Sequence, residues 1–110
     1  MTKEKEKKNN ERVMERKKRQ YSLHLLNDDV SDYMIVVTVL VQKLEVSPGE
    51  AINLANEAQS KGSVILKTFT SYEKAYELKR EIEEGSKLLS SRVSVPCELT
   101  LEITTEEMEE

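Results

Sequence analysis

Apolar and polar residues alternate where the folded part of the chain begins. Tyr21, Leu23 and Leu25 alternate with a serine and a histidine, which is the period of a strand with one buried face. Residues 27–29 then interrupt the apolar run with Asn and Asp, which hydrogen-bond their own backbone and favour turns. The pattern predicts a strand that starts at Tyr21 and runs into a polar loop.

The segment from Met34 to Val41 is ambiguous. It is rich in β-branched residues, and intrinsic propensity alone assigns such a run to a buried strand. We interpret it as a helix only because the family resemblance described below requires one.

A helix-start pattern begins at Ser47. This residue is a good cap, Pro48 occupies the first helical position and Glu50 stands three residues after the cap. The helix is expected to run from Pro48 to Lys61, because Gly62 can take the left-handed turn that ends it.

Two strands and a third helix are expected in the rest of the chain. Residues 63–69 alternate and predict a strand, and Thr70 to Glu73 repeats the capping-box pattern. Val95 to Ile103 predicts the last strand, with Pro96 near its start, where a lost donor costs least. The third helix carries an apolar stripe at three- and four-residue spacing, formed by Ala75, Leu78, Ile82 and Leu89.

The resulting order, β-α-α-β-α-β, predicts an α+β fold. It is a small sandwich with a three-stranded antiparallel sheet and helices packed on one face. Hydrophobic residues make up 37% of the chain and charged residues 35%, so the core is small and leaves no room for a deep enzyme cleft. We expect a flexible charged arm over 1–19, one domain over 20–104 and an acidic tail over 105–110.

Charge and composition limit the classes of partner. The arm from Lys3 to Arg19 is rich in Lys and Arg, but glutamates are interleaved with them and the net charge is −4, so we expect no nucleic acid partner. No signal peptide or membrane-length apolar run is present, and a cytoplasmic protein without membrane contact is expected. We also expect no metal, no cofactor and a monomer.

The stretch from Tyr21 to Asp29 resembles the opening of the Clp protease adaptor family (ClpS), where a strand runs into an Asn-Asp-Asp loop. The resemblance continues through Gly62 to Thr70 and resumes loosely from Pro96 to Glu102. It implies a non-enzymatic adaptor that binds the N-terminal residue of substrate proteins and delivers them to a Clp-type AAA+ unfoldase. The fold it implies is related to the C-terminal domain of the ribosomal stalk protein.

The resemblance implies a site for the ammonium group of a substrate. In the family the Asn and first Asp of the loop hold this group, which implies that role for Asn27 and Asp28. A His that contacts the ammonium in family members is replaced here by Gln59, whose carbonyl oxygen is still an acceptor. Weaker binding is therefore expected.

The resemblance also implies an apolar hole for the first side chain, lined by Tyr33, Val36 and Ala55. Tyr33 stands where the family usually has a Met at the mouth of the hole, and Ala55 stands where it has another Met. The shape of the hole is therefore altered.

The resemblance also implies a surface for docking to the unfoldase, and this chain departs from the family there. Family members use an acidic residue and a Lys at the start of the third helix, and the matching positions here are Tyr72 and Glu77. Exchanging a Lys for a Glu adds repulsion at a docking surface. Glu73 and Lys74 lie nearby and are alternative contacts.

Other functions stay open. One is a paralogue with the same fold that acts as a protein–protein interaction module without binding substrate N-termini, and another is an RNA-binding module that uses the basic arm. An enzyme is the least expected class, because His24 has no nucleophile or orienting partner in the sequence. Cys97 in the last strand is expected to be a small core residue.

Overall fold

The computed structural model describes residues 18–108. Most of the predicted arm, 1–17, and the last two residues of the predicted tail lie outside these described residues. The elements in chain order are β1 (Lys18–Leu26), α1 (Tyr33–Leu44), α2 (Pro48–Lys61), β2 (Ser63–Phe69), α3 (Tyr72–Val93) and β3 (Thr100–Met108). The predicted order of strands and helices is confirmed.

The three strands form one antiparallel sheet with β1 in the centre, in the order β2-β1-β3. Leu23 and Leu25 of β1 are buried in the core, together with Val64 of β2 and Leu101 of β3. Their partners in the core come from all three helices, which lie over this face of the sheet. The predicted α+β class is therefore confirmed.

Helix α1 forms where β propensity alone favours a strand. Asp32 caps it by accepting a hydrogen bond from the backbone N–H of Ile35 at 3.2 Å. The helix lies between α2 and α3, and its β-branched side chains fill the centre of the core. The difference in helix propensity between such residues and alanine is only a few tenths of a kcal/mol per residue, and burial outweighs it. The buried residues are Ile35, Val36, Val37, Val39 and Leu40.

Helix α2 has both predicted bounds. Ser47 accepts a hydrogen bond from the N–H of Glu50 at 3.1 Å, and Pro48 starts the helix. Gly62 has φ of 94° and donates its N–H to the carbonyl of Ala58 at 2.9 Å. This left-handed residue turns the chain directly into β2, which also has its predicted bounds.

The start of α3 differs from the prediction by one residue. Its cap is Ser71, which accepts from the N–H of Lys74 at 3.4 Å, and not Thr70. Either residue type can cap a helix, so the capping-box pattern left the register open. Two residues of the predicted stripe, Ala75 and Ile82, are fully buried.

The last strand was predicted five residues too early. Residues 95–99 are instead tied to the start of α1, because the carbonyl of Pro96 accepts from the N–H of Asp32 at 3.1 Å. The N–H of Glu98 in turn donates to the hydroxyl of Ser31 at 3.0 Å. Hydrogen bonds to β1 therefore begin only at Thr100.

Strands β1 and β3 extend past the expected domain boundaries at 20 and 104. Lys18 pairs with Met108 in the backbone register, and the side chains of Arg19 and Glu107 approach to 4.0 Å. The basic end of β1 thus lies beside the acidic end of β3. Cross-strand backbone bonds and opposite charges stabilise residues that have no apolar pattern of their own.

Candidate functional site

A cavity of about 80 Å³ opens where β1 ends, between the loop at 27–31, the start of α1 and the second half of α2. Six of its lining residues are those that the sequence singled out for an N-terminus site: Asn27, Asp28, Tyr33, Val36, Ala55 and Gln59. The fold therefore brings together side chains that are up to 32 positions apart in the chain.

Asp28 organises the loop at one side of the cavity. Its Oδ1 accepts from the N–H groups of Val30 at 2.8 Å and Ser31 at 2.6 Å. Its Oδ2 accepts from the Ser31 hydroxyl at 3.0 Å. A carboxylate has about four acceptor positions, so one position on Oδ2 stays open to a ligand.

Asn27 and Gln59 form the polar rim of the cavity. The backbone N–H of Asn27 donates to the carbonyl of Gly62 at 2.9 Å, which ties the loop to the end of α2, close to Gln59. Both side chains are exposed, and neither makes a hydrogen bond to another residue of the described part of the chain. Their amide oxygens are therefore free to accept from a ligand.

One part of the cavity wall is apolar. Val36 and Ala55 are 8% and 7% exposed, and they face the cavity from α1 and α2. An apolar wall behind a polar rim suits a ligand with a charged end and a short hydrophobic group.

Tyr33 lines the cavity from the start of α1. It is the first residue of α1, and its hydroxyl donates to Oδ1 of Asn56 on α2 at 3.1 Å. The residue is 40% exposed and lines the cavity. A hydrogen bond between two helices therefore holds one of the side chains that line the cavity.

Sequence reasoning missed several contributors to the site. Asp28 closes an Asx turn on the N–H of Val30, two residues on. Ser31 is the next residue, so the turn signal that would have drawn attention to it was available. Leu99 also lines the cavity, but it arrives there through the segment that follows α3. Asn56 carries no motif, because its role depends on the contact with Tyr33.

The four residues expected to dock an unfoldase do not line the cavity. Tyr72, Glu73, Lys74 and Glu77 are all exposed at the start of α3. The ring of Tyr72 contacts Tyr21 edge to face, with centroids 5.7 Å apart. It also stacks on a further tyrosine of α3 at 6.2 Å.

The other titratable candidates lie outside the cavity. His24 Nε2 is 2.8 Å from the hydroxyl of Thr104 on β3. Cys97 is buried against the core, and burial raises the pKa of its thiol. Among residues 18–108, no group of acidic, His or Cys side chains is arranged to hold a metal. No helix in this described range is long and apolar enough to span a membrane.

The fold defines a small α+β domain with a polar-rimmed cavity at the end of its central strand. The family model of the ATP-dependent Clp protease adaptor protein ClpS matches residues 16–91, which is more than half of the chain, and the chain belongs to this family. The resemblance noted from the strand and the Asn-Asp-Asp loop is thereby confirmed.

A solved structure supports the same fold. The chain is similar to ClpS2 of Agrobacterium tumefaciens, solved bound to L-phenylalaninamide, with a TM-score of 0.55 and 20% sequence identity. The match covers 78% of this chain and 98% of the other. No curated protein matches the chain.

Proposed function

We propose that the protein is a cytoplasmic adaptor for ATP-dependent Clp proteolysis. It binds the N-terminal residue of a substrate protein and delivers the substrate to a AAA+ unfoldase, without chemistry of its own. The observation that carries this proposal is that Asn27, Asp28 and Gln59 line one cavity together with the apolar residues Val36 and Ala55.

The rim suits an N-terminal ammonium group. Such a group has three N–H donors, and the rim offers three acceptors: the amide oxygens of Asn27 and Gln59 and the open position on Oδ2 of Asp28. Hydrogen bonds between an ammonium and a carboxylate are charge-assisted and contribute about 1.5–3 kcal/mol each.

The apolar walls suit the side chain that follows the ammonium. Val36 and Ala55 are buried at the back of the cavity, so a substrate's first side chain would leave water on binding. The solved relative holds L-phenylalaninamide, an amino acid amide that resembles the first residue of a chain. This ligand supports the same class of ligand here.

Gln59 changes the character of the site. An amide is neutral at every pH, whereas a His at this position titrates near pH 6.5. Under the proposal, binding therefore does not depend on a histidine's protonation between pH 6 and 8.

Delivery requires contact with an unfoldase. The candidate surface is the start of α3, where Glu73, Lys74 and Glu77 surround the exposed ring of Tyr72. Its charge differs from that of well-known family members, so a partner with a complementary basic patch is proposed.

The decisive test compares labelled peptides with a free N-terminus against their N-acetylated counterparts, using fluorescence anisotropy. Acetylation removes the ammonium and leaves the side chain in place. We expect micromolar binding of the free forms, a loss of at least tenfold on acetylation, and a similar loss in Asp28→Asn. Equal binding of both forms would overturn the proposal.

A second candidate function is a protein–protein interaction module without N-terminus binding. The exposed aromatic rings of Tyr72 and Tyr76 favour it, since they are 50% and 46% exposed and aromatic residues are enriched at interfaces. It predicts partner binding that is insensitive to Asp28→Asn and is lost in Tyr76→Ala.

A further inference from the structure

The size of the cavity limits which side chains fit. Its volume is about 80 Å³. An apolar cavity that holds benzene has about 150 Å³, which is nearly twice the volume found here.

Tyr33 and Asn56 set this size. Tyr33 sits on the first turn of α1 and Asn56 on the middle of α2, and the 3.1 Å hydrogen bond between them holds the ring of Tyr33 in the lining of the cavity. Small residues on α2 do not narrow the cavity, because Ala55 and Ala58 contribute only methyl groups to its wall. The ring of Tyr33 is therefore the bulky part of the lining. A rotation of this one side chain would move the ring and enlarge the cavity.

We infer that the hydrogen bond between Tyr33 and Asn56 restricts the cavity to short aliphatic first residues such as Ala and Val, and excludes Leu and the aromatic residues. This inference rests on the proposed function, since it assumes that the cavity holds a substrate's first side chain. Asn56 acts as a positioning residue, because it touches Tyr33 and does not line the cavity.

The physical basis is the cost of overfilling a small apolar site. One methylene more or less in a hydrophobic pocket changes binding by about 10- to 200-fold. A Val side chain brings three carbons into this space, half the number in benzene, whereas a Phe side chain brings seven. A Phe side chain enters only after the ring of Tyr33 swings away, which breaks the hydrogen bond to Asn56.

The test measures binding of four peptides that differ only in the first residue, Ala, Val, Leu or Phe, each with its N-acetylated twin. The proteins are the parent, Tyr33→Ala, Tyr33→Phe, Asn56→Ala and the double variant Tyr33→Phe/Asn56→Ala. Asn53→Ala is the matched control, because Asn53 is an exposed residue of α2 outside the cavity.

We expect the parent and Asn53→Ala to bind the Val peptide at least tenfold more tightly than the Phe peptide. Tyr33→Ala reverses this order. Tyr33→Phe and Asn56→Ala each release the ring and reduce the ratio of the affinity for the Val peptide to that for the Phe peptide. The double variant reduces this ratio no further than either single change. A purely structural role of the hydrogen bond would weaken all four peptides alike and leave the ratio unchanged.

The outcomes separate this inference from the proposed function. If the parent binds Phe or Leu peptides as tightly as Val peptides, and acetylation abolishes that binding, the size restriction is wrong and the N-terminus site stands. If only Tyr33→Ala binds any peptide, the assignment of short residues is wrong. If no free N-terminus binds to the parent or to Tyr33→Ala, the proposed function fails and the inference fails with it.

Discussion

Asp28 and Ser31 are joined by two hydrogen bonds, from the Ser31 N–H to Oδ1 at 2.6 Å and from the Ser31 hydroxyl to Oδ2 at 3.0 Å. The same hydroxyl accepts from the N–H of Glu98 at 3.0 Å. Asp28 thus orders the loop beside the cavity and, through Ser31, holds the segment that leads into β3. The proposed ammonium ligand is also a structural residue.

The double role of Asp28 can be separated by two substitutions. Asp28→Ala removes all the acceptors and leaves loop donors unpaired, so we expect a loss of about 1–2 kcal/mol in the free energy of unfolding. Asp28→Asn keeps an oxygen that accepts from Val30 and Ser31, and should change stability by less than about 0.5 kcal/mol. Urea unfolding measures both values.

Binding should rank these variants differently. Asp28→Asn removes the negative charge but keeps the loop, so binding of a free N-terminus should fall about tenfold or more in this stable variant. Unchanged affinity in Asp28→Asn would restrict Asp28 to the structural role.

Gly62 ends α2 with φ of 94°, a conformation that costs residues with a Cβ about 1–2 kcal/mol. Gly62→Ala should lower the free energy of unfolding by about 1 kcal/mol, although an added Cβ would meet no atom within 4 Å. It should also weaken peptide binding, because the Gly62 carbonyl accepts from Asn27 at the rim. Thermal or urea unfolding gives the first value and anisotropy the second.

Gly49 is the matched control for this change. It also has open space around its Cβ position, but it lies in the first turn of α2 with ordinary helical geometry. Gly49→Ala should raise the free energy of unfolding by about 0.5–1 kcal/mol. A similar loss in both variants would show that the left-handed backbone of Gly62 does not decide the effect.

Much of the fold follows from local signals. The bounds of α2 and β2 were predictable because Ser47 and Gly62 satisfy backbone groups at the two ends of one helix, through contacts within four residues. The same logic located the start of α3 to within one residue. Such contacts are specified by neighbours in the sequence.

Other features depend on contacts between distant residues. The β-branched run in α1 becomes a helix because α2, α3 and the sheet bury it, and only the family resemblance indicated this. The register of β3 depends on the tie between Ser31 and Glu98, which are 67 residues apart. The cavity residues were predicted by resemblance, but the hydrogen bond between Tyr33 and Asn56 has no signature in either local sequence.

Cys97 should make stability depend on alkaline pH. Burial raises the pKa of its thiol, because desolvation disfavours the thiolate. The folded protein therefore keeps this proton at pH values where the unfolded chain, with an ordinary pKa of about 8.5, loses it. The stabilising contribution is complete below that pH and declines as the pH rises above it.

Urea unfolding between pH 7 and 10 measures this effect. The free energy of unfolding should fall less steeply with pH in Cys97→Ala than in the parent, since the two proteins differ only in this thiol. Alkylation by iodoacetamide at pH 8 should also be far slower in the native protein than in urea. Parallel pH profiles for the two proteins would rule out a raised thiol pKa.

Glu77 is expected to decide which unfoldase the protein docks. It is exposed on α3, at the position where well-known family members carry a Lys. The parent therefore presents a negative charge to a partner surface that attracts a positive charge in those family members. Glu77→Lys should tighten binding to the N-terminal domain of such a Clp-type unfoldase by tenfold or more, mainly at low salt. Glu81→Lys makes the same charge change one turn further along α3 and should have a much smaller effect. The opposite result is that the parent already binds this domain and that Glu77→Lys weakens the complex. The partner's surface must then be basic where it contacts Glu77, so the charges of the two proteins are complementary.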